Sequence, residues 1–232
     1  MDTAGFPPFR PHVNNTMPTD PPRSLESRLA NGDRDALTEA FALHHERLWR
    51  MISFRMDRRL NGRVDPDDIL QEAYIDAENR LEHFRAEHSQ SVFIWLRMIC
   101  RQTLINVFRR HLESEMRDAG REATPQQQST GQSTSVSLAQ HFVASLTSPS
   151  QAAVKGEVSG QLIAALETMD PIDQEIIALR HFEDLNNSEV AATLDIKPTA
   201  ASNRYVRAIA RLRTILGQLP EFSETHGESA ND

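Results

Sequence analysis

Cysteine is almost missing from this chain of 232 residues: Cys100 stands alone, so no disulfide can form within it. That usage suits a reducing compartment, and a cytoplasmic location is expected. Glycine is also sparse, with nine in all, and none builds a phosphate-cradling loop. There is no nucleophile elbow and no paired metal motif. His44, His45, His83 and His88 are scattered without zinc spacing. Enzyme signatures are therefore lacking, and no catalytic residue, cofactor or metal is expected. No apolar run reaches about 18 residues, so no membrane-spanning helix and no membrane partner are expected. The opening segment MDTAGFPPFRPHVNNTMPTDPPR has neither the basic start nor the apolar stretch of a secretory signal. Alternating strand patterns are absent too.

What remains is helical periodicity, interrupted by polar stretches. Residues 1–24, rich in Pro, Thr and Asn, read as a disordered arm. Residues 25–112 read as a helical domain, with Leu37, Phe41, Leu48 and Ile52 at three- and four-residue spacing. Within it, VDPDDILQEAYIDAENRLEHF opens with Asp65 as N-cap, Pro66 at the first helical position, and Asp67 and Asp68 where anions complement the helix dipole. Residues 113–148, including REATPQQQSTGQSTSVS, read as a flexible linker that cannot bury enough apolar surface to offset its ordering entropy. Periodicity resumes over 149–219, and 220–232 read as a disordered tail. The expected fold is all-α: two small helical domains joined by a flexible linker, the C-terminal one a helix-turn-helix.

The charge distribution points to a task. The net charge is −8, yet Lys197 to Arg213 holds five basic side chains and no acidic one. Asp170-Pro171 starts one helix; Asn187 or Ser188 caps a short second; DIK makes a turn; Pro198 begins a third. The second and third, two short helices joined by a turn of three or four residues with the latter one longer, match the DNA-binding helix-turn-helix. On a helical wheel Ala201, Tyr205, Ala208, Ile209, Leu212, Ile215 and Leu216 fill an arc of about 120°. Arg204, Arg207 and Arg211 lie together on another side, beside Thr199, Ala200 and Asn203. Asn203 suits a two-bond contact with adenine, Lys197 guanine or a phosphate, and the arginines phosphates. A solvated basic face is the competing reading for any one arginine; three on one strip favour DNA.

These residues resemble a family, the extracytoplasmic-function type of bacterial RNA polymerase sigma factor. FEDLNNSEVAATLDIKPTAASNRYVRAIARL follows the pattern of its promoter-distal module. VDPDDILQEAYIDA and SVFIWLRMICRQTLINVFRRHL follow its other module, in order and spacing. AASNRYVRA resembles a variant found among planctomycete members.

The resemblance implies RNA polymerase core, promoter DNA and an anti-sigma factor as partners. It implies that Asp68, Gln71 and Glu72 dock on the clamp of the largest polymerase subunit. It implies that Arg101, Gln102, Asn106, Arg109 and Arg110 contact the −10 element, on a helix where Arg97 and Arg101 share a face with Leu104 and Phe108. Lys197, Thr199, Ala200, Ser202, Asn203, Arg204, Arg207 and Arg211 would contact the −35 element. Phe93 and Trp95 read as core rather than as base-stacking platforms. The chain departs from the family pattern at Gln102, Asn106 and Ser202, which bears on the promoter sequence and not on the class. The alternative is a transcriptional regulator that uses only the helix-turn-helix and is no polymerase subunit.

Overall fold

The computed structural model describes residues 24–84, 91–119, 133–146 and 152–219. Among these, all regular structure is helical. The N-terminal half holds α1 (Leu25–Ala30), α2 (Arg34–Arg55), α3 (Pro66–Arg80) and α4 (Val92–Ala119). Local chemistry starts each helix. The Asp33 carboxylate accepts from the amides of Asp35 and Ala36 to begin α2. Asp65 caps α3 in a capping box with Asp68, with Pro66 in the first turn, as its sequence foretells. Helix α2 packs on α3 and α4, and α3 on α4. The core between them takes Leu37, Leu48, Ile52, Ile69, Leu96 and Ile99, all fully buried. Each such side chain contributes roughly 1.5–3 kcal/mol of burial. Phe93 and Trp95 lie in this core, as expected.

The C-terminal half holds α6 (Ala152–Leu166), α7 (Pro171–His181), α8 (Asn187–Leu194) and α9 (Pro198–Gly217). Asp170 caps α7 and Pro171 sits in its first turn. Asn186, rather than Asn187 or Ser188, caps α8, in a capping box with Glu189. The α8 C-cap, Asp195, takes left-handed backbone (φ 52°, ψ 47°), which ends the helix and turns the chain into α9.

Two features differ from the sequence expectation. The stretch 113–148 is not a simple flexible linker, because α4 continues to Ala119 and a further helix, α5, spans Thr134–Leu146. Leu138, Ala139 and Val143 of α5 are buried with Phe54, Leu162 and Leu166. The apolar spacing Val136, Leu138, Ala139, Phe142, Val143 was masked by Ser, Thr and Gln around it. The halves are also packed on each other. Ile176, Leu179, Leu185, Val190, Ala191 and Ala201 join the N-terminal core, and Phe54 joins the C-terminal one. The disordered arm and tail expected at 1–24 and 220–232 lie outside the described residues, apart from Ser24.

Candidate nucleic-acid interface

Helix α9 carries the basic strip. Its buried side is Ala201, Ala208, Leu212 and Ile215, with Tyr205, Ile209 and Leu216 partly covered, which is the arc the periodicity implies. This packing on α7 and α8 fixes which residues face outward. Lys197, Thr199, Ser202, Asn203, Arg207 and Arg211 are exposed and Ala200 is half-buried. The turn is tied by the Asn187 side-chain amide, which donates to the Pro198 carbonyl (2.8 Å), and by the Ile196 amide donating to the Ala191 carbonyl (3.0 Å). No side chain caps α9, so the positive end of its dipole opens outward beside Lys197, an arrangement suited to phosphate.

Arg204 departs from the strip. Its guanidinium turns back to α7, 2.8 Å from Asp173 and 3.5 Å from Asp170. The hydrogen bond from Arg204 to Asp173 raises its pKa further, so it stays a cation with its partners already in place. Arg211 remains exposed and reaches the Thr168 hydroxyl at 3.4 Å. Sequence reasoning passed over Val206. It is 64% exposed, three residues after Asn203 on the same face, and an apolar side chain there can meet a thymine methyl. The signal was present: a β-branched residue outside the buried arc of an amphipathic helix.

In the N-terminal half Arg101, Gln102, Arg109 and Arg110 are exposed on α4, with Asn106 half-buried. The Gln102 amide donates to the Asn106 side-chain oxygen (3.1 Å), joining these two polar residues one turn apart. Arg97 does not share an outward face with Arg101. It is buried, its Nε donating to Glu183 at 2.6 Å. Asp68, Gln71 and Glu72 are all exposed along α3. Asp68 is partly engaged, since its carboxylate accepts from the Asp65 amide (3.1 Å). Glu72 pairs with Arg110 at 2.5 Å, so the acidic α3 face and the basic stretch Arg109–Arg110 of α4 adjoin.

The single thiol has no part in this surface. Burial pushes the Cys100 pKa up to about 12, which keeps it protonated and unreactive near neutrality. No group of His, Cys, Asp and Glu among the described residues is arranged to hold a metal ion. No helix among them is long and apolar enough to cross a membrane.

Two family models match the chain: sigma-70 region 2 over residues 41–113 and sigma-70 region 4 over residues 159–212. Together they cover more than half of it. The RNA polymerase sigma factor FliA of Salmonella typhimurium and that of Salmonella typhi are each 32% identical over 66 residues. Each match spans 28% of this chain and only 28% of the relative's length. Among solved structures, CnrH in complex with the cytosolic domain of CnrY aligns over 84% of this chain and 96% of that chain. Its identity is 19% and its TM-score 0.46.

Proposed function

The chain belongs to the sigma-70 family, and from that premise we propose that it is an extracytoplasmic-function sigma factor that binds RNA polymerase core and directs initiation at defined promoters. The observation that carries this reading is the pairing of a region 2 match and a region 4 match in one chain. A regulator working only through the helix-turn-helix needs no region 2. Its place of action is the cytoplasm, with DNA and polymerase.

The division of labour follows the surfaces. Asp68, Gln71 and Glu72 present a polar, acidic helix face to a basic clamp surface of the polymerase. Arg101, Gln102, Asn106 and Arg109 meet the −10 element, with Arg110 released from Glu72 to join them. On α9, Thr199, Ala200, Ser202 and Asn203 approach base edges of the −35 element. Lys197, Arg207 and Arg211 meet phosphates, while Arg204 stiffens the helix against α7 and reaches DNA only by leaving Asp173. An acidic protein that covers this strip, as an anti-sigma factor would, is the regulator such a surface admits. The protein works as a positioning subunit, without chemistry of its own.

The test is transcription with purified core polymerase and genomic fragments. Discrete promoter-dependent products are expected; their absence from every fragment sinks the reading. Charge reversal at Asp68 and Glu72 together is expected to abolish co-purification with core while leaving helicity and duplex binding by the C-terminal half intact.

A further inference from the structure

The outward face of α4 carries more than charge. Met98, Gln102, Ile105 and Arg109 fall within an arc of about 60°, with Arg101 beside it. Met98 is 53% exposed, the only large apolar side chain exposed on this helix among the described residues. One turn earlier the same face is covered. Ile94 is buried there, and Trp95 is buried in edge contact with Phe84 (4.9 Å between ring centroids). Met98 is therefore the first side chain of the face to emerge, and the polar and cationic groups follow it along the helix. Its backing is firm: Leu96, Ile99 and Cys100 are fully buried, and the Thr103 hydroxyl donates to Asp76 of α3 (3.0 Å).

A lone exposed apolar residue is ordinary on a protein surface. This one leads a row of groups suited to DNA, and it supplies what they lack. Arginine, glutamine and asparagine hold phosphates and base edges, but none of them fills the gap left when one base pair lifts off the next. Proteins that unstack duplex DNA push an apolar side chain between base steps, and methionine is one they use. Phe93 and Trp95, the aromatic residues early in α4, are buried in the core and do not reach a base. Methionine fits the gap well, being unbranched, flexible and polarisable enough to follow the face of a base.

We propose that Met98 is the wedge that parts the first base step opened at the −10 element, while Arg101 and Gln102 hold the strand beside it. This rests on the function proposed above and names the residue that does the opening. The side chain gains contact only once the step has parted. It therefore acts on the rate of opening, and neither docking on core nor the phosphate contacts depend on it.

The experiment uses holoenzyme assembled from core polymerase and the full chain, on a promoter fragment recovered in the transcription test. Each variant is run on the intact duplex and on the same fragment with mismatches across the −10 element, which supply the opening in advance. Opening is followed by the fluorescence of an adenine analogue placed at the upstream edge of the element. Met98→Ala is expected to slow opening of the duplex by about tenfold. Initiation on the mismatched fragment, affinity for core and the salt dependence of binding are expected to stay unchanged. Met98→Gln, similar in length but polar, is expected to behave like Met98→Ala, and Met98→Leu to restore opening to within about twofold. Equal opening rates for wild type and Met98→Ala on the duplex overturn the wedge. Equal slowing on both fragments, or full activity in Met98→Gln, overturns it too, because each shows a role other than filling an apolar gap. Failure of the function proposed above appears as wild type inactive on both fragments; failure of the wedge appears only in the variants.

Discussion

Glu189 serves two structures with one carboxylate: it accepts from the Asn186 amide to close the α8 capping box, and it receives Arg47 of α2 from the N-terminal half. Arg204 shows the reverse, a cation of the DNA strip already committed to Asp173. Exposure alone therefore does not sort α9 into readers and anchors; the chemistry of each side chain does. Asn203→Ala is expected to relax base preference at a single promoter position, worth about 1–3 kcal/mol of discrimination. Arg207→Ala is expected to weaken binding about equally across sequences and to flatten the slope of log K against log salt by about one. A site-selection experiment and a salt titration check the pair. Identical base preferences for wild type and Asn203→Ala would remove the reading role.

Among the elements, α8 is sensitive to a single change. At eight residues it is too short to hold its shape alone, and it depends on the Asn186 cap, two apolar anchors (Val190 and Ala191) and the turn at Asp195. Asn186→Ala is expected to cost about 1 kcal/mol, seen as a lower denaturant midpoint at unchanged slope. Asn186→Asp, which keeps the accepting oxygen, is expected to restore the midpoint.

For the molecule as a whole, stability should respond to acid through the ion pairs between its halves. Burial pushes the Glu175 carboxyl up, but the Arg55 charge and its hydrogen bonds, with a further one from the Thr134 hydroxyl, outweigh this and hold its pKa below the ordinary value. A carboxylate with a depressed pKa contributes stability that is complete above its free value, about 4.3, and lost as pH falls through the lowered one. This contribution to stability is therefore expected to be constant from pH 7 to about 5 and to drop below about 4. Denaturant midpoints of wild type and Glu175→Gln across that range, beside helicity, check it. The same pH dependence in wild type and Glu175→Gln down to about pH 3 would show that the Arg55–Glu175 pair adds no stability.

Local signals were enough for much of this protein. Asp65-Pro66, Asp170-Pro171 and the arc from Ala201 to Leu216 carry their own start signals and periodicity, so these helices and the outward placement of Asn203 and Arg207 were legible in the chain. Helix α5 was not, because its apolar spacing sits among Ser, Thr and Gln and becomes a helix by burying Leu138 against Phe54, far away in sequence. The partners of Arg55, Arg97 and Arg204 were equally hidden. An arginine on a wheel has a direction but no address, and whether it meets solvent, phosphate or Glu183 depends on which helix folds against it.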